Sequence, residues 1–253
     1  MKQFEAVIET LEHLGGITTL GQLNQEVFKI KDCVWNTKTP FASIRRIVQE
    51  RSEIYRVRPG LWALESHRRQ LEKNGIVVED STNHTSKEVT EFTHSYYQGL
   101  LLQIGNMRRL HTFVPCQDRN KKCVNTSLGE ICTESRMPQY TYAELVNRSS
   151  TIDAIWFDEC SIGNGLLMPK SFFEVEHSTD IQNSLLKYCD LLGFSAGMFI
   201  VADRKRKVEF ERKLSYSSFK PLKDGNKVKF LEYDRLVRIY EETVRMQEIG
   251  ISI

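Results

Sequence analysis

Two short apolar segments of this chain carry acidic residues, and this pattern constrains the fold more than any other. Asp153 lies within residues 152–157, and Glu174 and Glu176 lie within residues 171–177. Strand alternation places Glu174 and Glu176 on the same face. If the two segments pair as a hairpin, three carboxylates converge, and such a cluster favours a hard divalent cation such as Mg²⁺.

The opposing interpretation is that these acids are exposed charges at the edge of a sheet. Their neighbours are apolar, in Ile-Asp-Ala-Ile-Trp and Phe-Phe-Glu-Val-Glu. An unpaired carboxylate is costly in such surroundings. The pattern therefore favours a site over a charged edge.

Bulk composition excludes few classes of protein. The length of 253 residues suits two domains or one large one, and a net charge of +2 neither supports nor excludes binding to DNA. The spacing of Cys116, Cys123 and Cys132 fits no common zinc motif, so we expect the six cysteines to be reduced thiols. No apolar run is long enough to cross a membrane, and we expect a cytoplasmic protein.

The first 64 residues show the pattern of three helices followed by a hairpin. Helical spacing predicts a helix over residues 4–14, ended by Gly15-Gly16, and a second one capped by Thr19 with residues 20–28 supplying its buried stripe. Thr39-Pro40 predicts the start of a third helix that runs to about residue 49. Two strands around Arg-Pro-Gly then complete a winged helix.

This N-terminal region resembles the HARE-type winged helix-turn-helix family. The resemblance rests on Gly15-Gly16, Thr37-Lys-Thr-Pro40, Ile44-Arg-Arg-Ile47 and Tyr55-Arg-Val-Arg-Pro-Gly-Leu-Trp62. Helix-turn-helix proteins insert the second helix of the motif into the major groove. The resemblance therefore implies DNA contacts from the third helix and the wing, by Lys38, Ser43, Arg45, Arg46, Arg56 and Arg58. The alternative is a solvated basic face on a winged helix that contacts proteins.

The remainder of the chain predicts a mixed sheet flanked by helices, in an α+β or α/β arrangement. We expect a winged helix domain over residues 1–75, a linker over 76–90 and the larger domain over 91–253. Its predicted elements, in order, are a helix over 87–108, a strand over 111–115, a helix over 142–147, the two acidic strands, a helix over 180–192 capped by Ser178 or Thr179, a strand over 197–202, a helix over 204–214, a strand over 227–232 and a helix over 233–247.

An Asp in one strand of a hairpin and Glu-x-Glu in the next resemble the PD-(D/E)xK nuclease superfamily, whose best-known members are restriction endonucleases. Ile152 precedes Asp153 where a proline is common, and Glu176 stands at the usual lysine position. Some members carry an acid there, and others place the lysine on the next helix, where Lys187 lies.

The resemblance implies a set of site residues. Asp153, Glu174 and the Val175 carbonyl would bind Mg²⁺, or Mn²⁺ in its place, while Glu176 or Lys187 would assist the attacking water. Glu91, His94 and Gln98 recur on one face of the long helix, and superfamily members often place an acid or amide such as Gln98 there.

Two functions remain open at this point. The first is a Mg²⁺-dependent type II-like restriction endonuclease whose winged helix reads sequence or a modified base such as 5-methylcytosine in double-stranded DNA. Cutting both strands would then need a homodimer, or sequential nicking by a monomer. The second is a DNA-binding transcriptional regulator whose larger domain is a non-catalytic nuclease fold used for dimerisation.

Overall fold

The computed structural model describes residues 1–248 and divides the chain into two compact units. The N-terminal unit comprises Met1–Thr93 and the end of the last helix from Glu241 onward, and the C-terminal unit comprises His94–Tyr240. No helix among residues 1–248 combines the length and the apolar character needed to cross a membrane.

The N-terminal unit contains the predicted three helices and hairpin, a short fourth helix, and one strand that the sequence did not indicate. Its elements are α1 (Gln3–His13), β1 (Ile17–Thr19), α2 (Leu20–Glu26), α3 (Pro40–Glu50), β2 (Ile54–Arg58), β3 (Leu61–Leu64) and α4 (Arg68–Lys73). The strands form an antiparallel sheet in the order β1-β3-β2. Residues of α1, α2 and α3 pack on this sheet and form the core of the unit.

Local sequence signals explain where these helices begin and end. Gly15 and Gly16 both adopt positive φ after α1, which glycine tolerates without strain. The Thr19 hydroxyl accepts a hydrogen bond from the Gln22 amide at 3.2 Å and so caps α2 as expected. Phe28 was expected in the buried stripe of α2, but its side chain is 40% exposed because a 3₁₀ turn replaces the helix after Glu26.

The C-terminal unit is built on a five-stranded mixed sheet. Its elements, including the two long helices within which the division of the chain falls, are α5 (Lys87–Met107), β4 (His111–Phe113), β5 (Lys122–Cys123), β6 (Thr126–Ser127), α6 (Leu128–Ile131), α7 (Ala143–Ser149), β7 (Ala154–Glu159), β8 (Leu167–Glu176), α8 (Ile181–Asp190), β9 (Gly197–Ala202), α9 (Lys207–Leu214), α10 (Lys220–Asp224), β10 (Val228–Glu232) and α11 (Tyr233–Glu248). The mixed α and β architecture agrees with the fold class expected from the sequence.

The sheet has the order β10-β9-β8-β7-β4. β7 pairs antiparallel with both β4 and β8, whereas β8, β9 and β10 run parallel. Apolar side chains of the sheet and of α8 form one core, in which Phe157, Phe172 and Tyr188 are fully buried. The expected hairpin is therefore present at the centre of the sheet.

Two element starts differ from those expected, and a stretch without predicted elements contains short ones. Asp153 was placed inside a strand, but β7 begins one residue later, at Ala154. The helix cap expected at Ser178 or Thr179 is Asp180, whose carboxylate accepts a hydrogen bond from the Gln182 amide at 2.8 Å. The cysteine-bearing stretch contains the small β5-β6 hairpin and α6, and all six cysteines are free thiols.

Candidate active site

The β7–β8 hairpin brings the acids from its two strands together. Ala154 pairs with Phe173, so Asp153 and Glu174 lie at adjoining positions on neighbouring strands. Glu174 and Glu176 are 3% and 4% exposed, and the Asp153 side chain is 15% exposed. Carboxylates so withdrawn from water require partners, and each of the three has them.

Asp153 is held by the opposite strand and by the long helix α5. One oxygen, Oδ2, accepts a hydrogen bond from the Val175 amide at 2.7 Å and lies 3.1 Å from His94 Nε2. Burial by itself would raise the pKa of Asp153, but His94, the Val175 amide and the charge of Lys187 together outweigh it and lower that pKa. Burial likewise opposes charge on His94, yet Asp153 raises the pKa of the imidazole. Asp153 is thus an ionised carboxylate in a fixed orientation.

Gln98, one helical turn after His94, secures the backbone at the same point. Its amide Nε2 donates to the Asp153 carbonyl at 2.8 Å and to Asp118 Oδ2 at 2.9 Å. Asp118 is 4% exposed and forms an ion pair of 2.6 Å with Lys121. The i, i+4 spacing of His94 and Gln98 places both side chains on the helix face that contacts Asp153.

Glu174 is paired with a lysine from the following helix. Lys187 Nζ, on α8, lies 3.0 and 2.8 Å from the two carboxylate oxygens, and Ser184 Oγ donates to Oε2 at 2.9 Å. Burial, followed by the negative charge of Asp153, raises the pKa of Glu174 to about 8 despite the opposing effect of Lys187. Glu174 therefore holds its proton more strongly than an ordinary carboxyl does, even with the ammonium in place.

Glu176 lies beside Glu174 and shares one of its partners. Ser184 donates to Glu176 Oε1 as well as to Glu174, and Thr179 donates to Glu176 Oε2. A hydroxyl has one proton to donate, so Ser184 cannot hydrogen-bond fully to both carboxylates at once. Glu174 and Glu176 therefore compete for this one donor.

These contacts bear on the predicted metal site. Among residues 1–248, no group of three or more His, Cys, Asp and Glu side chains is arranged to hold a metal ion. Two carboxylates and a carbonyl form a smaller donor set, that of Asp153, Glu174 and Val175. Its all-oxygen chemistry suits Mg²⁺ or Mn²⁺, and a cation would offset the negative charge of Asp153 that contributes to the raised pKa of Glu174. The donor set therefore fits a hard cation.

Comparison with known proteins bears on the same region. Residues 76–252 match the family model described as the Type II restriction enzyme NmeDI C-terminal domain. The chain belongs to this family of restriction enzymes. No curated protein and no solved structure gives a significant match.

The structure brings together the five residues that the sequence predicted to be catalytic. Asp153, Glu174, Glu176, Gln98 and Lys187 all belong to the cluster, whereas Glu91 is exposed and lies 3.9 Å from Lys87. Sequence reasoning missed Asp118, Thr179 and Ser184. Ser184 precedes Lys187 by one turn of α8, and that i, i+3 spacing was the available signal.

The predicted DNA contacts of the N-terminal unit differ in their surroundings. Lys38, Arg46 and Arg56 are exposed, and Ser43 is half-buried. Arg45, at the middle of α3, forms an ion pair of 2.5 Å with Glu241 of α11. A cavity of about 150 Å³ lies beside this pair. Arg45 therefore already has a carboxylate partner in the folded protein.

Arg58 lies inside the N-terminal unit rather than on its surface. Its side chain is 2% exposed and donates to Thr93 Oγ1 at 2.9 Å and to the Val57 and Val77 carbonyls at 2.7 and 2.9 Å. The guanidinium also lies 5.5 Å from the Phe92 ring centroid. These contacts give Arg58 a structural role, and we leave it out of the proposed DNA surface.

Proposed function

We propose that this restriction enzyme hydrolyses phosphodiester bonds of double-stranded DNA at the Asp153–Glu174 cluster with the help of Mg²⁺ or Mn²⁺. The observation that carries the proposal is that the buried carboxylates of Asp153 and Glu174 lie at adjoining positions of paired strands, with Lys187 of α8 hydrogen-bonded to Glu174. An enzyme of the PD-(D/E)xK type would use such a set. Asp153, Glu174 and the Val175 carbonyl would hold the ion, which when bound acidifies water and neutralises phosphate charge.

The residues around this set divide the remaining work. His94 and the Val175 amide keep Asp153 ionised and oriented, and Gln98 holds the backbone carbonyl of Asp153. Hydrolysis also needs a group that orients the attacking water. Lys187 and Glu176 are the two candidates, since both side chains adjoin Glu174 directly or through Ser184.

Loss of cutting on substitution of Asp153 tests the proposal. Wild-type protein with Mg²⁺ should cut plasmid DNA, EDTA should stop it, and Asp153→Asn should lower the rate by at least about 100-fold, as expected for loss of a positioned catalytic group. Asp158→Asn is the matched control, because Asp158 belongs to β7 but pairs with Lys170 at the surface. Duplex binding without cleavage under every metal condition would favour the transcriptional regulator instead.

We further propose that the N-terminal unit is a winged helix that reads DNA through α3 and the β2–β3 hairpin. The support is its three helices, its sheet and the exposed cations Lys38, Arg46 and Arg56. Digesting the same plasmid with and without 5-methylcytosine tests whether the unit reads a modified base. Equal cutting of both plasmids would indicate that the N-terminal unit recognises DNA sequence and not the modified base.

Cleavage of both strands needs two encounters with an active site, since each chain supplies one cluster. We propose a homodimer as the cutting species. Sedimentation with duplex DNA should then show two chains per DNA, whereas one chain per DNA with accumulation of nicked plasmid would indicate sequential nicking.

A further inference from the structure

A concentration of basic residues follows β9. Residues 203–229 contain ten Lys and Arg but only four Asp and Glu, while the whole chain contains 35 and 33. The near-neutral composition therefore conceals a strongly positive segment within the C-terminal unit. Such segments attract polyanions when their charges are exposed and clustered.

This segment begins at the carboxyl end of β9, the same end of the sheet at which the acidic cluster lies. β8 and β9 are parallel, and Glu176 pairs in register with Ala202. The chain therefore leaves β9 beside the end of β8. Residues 203–207 follow at once, with the Asp203 carboxylate accepting a hydrogen bond from the Lys205 amide at 2.8 Å.

Arg206 fastens this part of the chain to the loop that follows β8. Its guanidinium donates to the His177 carbonyl at 3.2 Å and to the Thr179 carbonyl at 2.6 Å, and it pairs with Glu209. Thr179 in turn donates to Glu176 of the cluster. The position of the basic residues relative to the acids is thus fixed by side-chain contacts as well as by strand register.

The cations on either side of Arg206 are exposed. We call Arg204, Lys205 and Lys207 the basic turn. Within residues 1–248, none of the three lies within 4 Å of an acidic oxygen as an ion pair. Three neighbouring like charges repel one another, so the basic turn gains from an external anion.

We propose that the basic turn binds backbone phosphates of duplex DNA next to the bond that is cut. This inference rests on the proposed nuclease function and adds a DNA-holding surface on the C-terminal unit itself. Lysine and arginine contacts to phosphate give affinity and register without reading sequence. The turn would therefore contribute equally to cognate and non-cognate DNA.

The test replaces the basic turn by Arg204→Gln, Lys205→Gln and Lys207→Gln in the full chain. Binding to a fluorescent duplex is measured by anisotropy in EDTA, where cleavage is blocked, between roughly 50 and 200 mM salt. Each lost phosphate contact lowers the slope of log K against log salt by about 0.9. We expect the slope to fall by about 2 to 3 and the affinity at low salt to fall at least about 10-fold.

The control removes the same number of exposed charges elsewhere in the basic segment, by Lys220→Gln, Lys223→Gln and Lys229→Gln. Lys220 and Lys223 precede β10, whose first residue Val228 pairs with the start of β9. These lysines therefore lie toward the opposite end of the strands from the acids. This variant should retain the wild-type slope.

Three results would contradict the inference, and they separate it from the proposed function. Equal loss of slope in both variants would mean that net charge matters and position does not. An unchanged slope in the basic-turn variant, with a wild type that binds and cuts, would contradict phosphate binding by the basic turn and leave the proposed nuclease function standing. A wild type that neither binds nor cuts duplex DNA would contradict both proposals. If the triple variant misfolds by circular dichroism, Arg204→Gln and Lys205→Gln alone should each lower the slope by about 1.

Discussion

Replacing Glu174 by glutamine should change how stability depends on pH. The pKa of Glu174 is raised to about 8 by burial and by Asp153, against 4.5 for the ordinary carboxyl. Between those values the folded state holds a proton that the unfolded state releases. The stability this gives is complete below about pH 4.5 and is lost as the pH rises through 8. At about 1.4 kcal/mol for each pH unit, the loss is at most about 5 kcal/mol.

About 1.4 kcal/mol of this loss has already occurred by pH 5.5, and structural relaxation around buried charges reduces such figures further. We therefore expect wild-type protein to lose between about 1 and 3 kcal/mol of its free energy of unfolding from pH 5.5 to pH 9. Glu174→Gln should lose much less over this range, because an amide does not titrate. Urea unfolding in EDTA, followed by circular dichroism, measures both. Glu211→Gln, at an exposed position on α9, should behave as wild type.

A parallel fall of wild type and Glu174→Gln would refute the reasoning. It would mean that Glu174 titrates normally and that the site already contains enough positive charge for it. Two other groups in this region contribute to the pH dependence. The lowered pKa of Asp153 provides stability above about pH 4 that is lost on acidification, outside the measured range. The raised pKa of His94 provides stability that is lost as the pH rises above the usual histidine range, and this loss is common to wild type and Glu174→Gln.

Two further predictions concern packing and DNA access. Gly99→Ala should destabilise the C-terminal unit by about 1 to 3 kcal/mol, because the added Cβ would overlap the buried Cys123 Sγ; urea unfolding measures this. Glu241→Gln should raise affinity for duplex DNA by releasing Arg45, while the free energy of unfolding changes by less than about 1 kcal/mol, because Arg45 is half exposed; anisotropy and urea unfolding measure the two quantities.

Each of these predictions has a matched control within the chain. Gly193→Ala meets no atom within 4 Å and should leave stability nearly unchanged, so an equal loss in both glycine variants would contradict the steric argument. Glu242→Gln removes a neighbouring charge that does not pair with Arg45. If it raises DNA affinity as much as Glu241→Gln does, overall charge rather than release of Arg45 is responsible.

Local signals sufficed for most of the secondary structure. The Thr19 cap, the Thr39-Pro40 helix start and strand β9 are confirmed because they depend on residues close together in sequence. β1 was not predicted because three residues give too little periodicity, and it is a strand because it pairs with β3. The burial of Arg58 was equally hidden, since its partners Thr93 and Val77 lie far along the chain.

The acidic cluster could be predicted because it depends on strand alternation and on the pairing of two neighbouring strands. Alternation along β8 requires Glu174 and Glu176 to share a face, and an apolar hairpin must bring Asp153 close to them. Periodicity also grouped His94 with Gln98 on one side of α5. Nothing in the sequence indicated that Asp118 would be buried against Gln98, because an irregular segment has no period from which to read direction.

The order of residues along the chain alone determined which side chains share a face, because backbone geometry repeats every two residues in a strand and every 3.6 in a helix. Folding in three dimensions decided which faces meet. Packing α8 beside β8 set Lys187 against Glu174, and placing the end of α11 in the N-terminal unit set Glu241 against Arg45. Contacts of this kind depend on how separate elements pack, which no local period records.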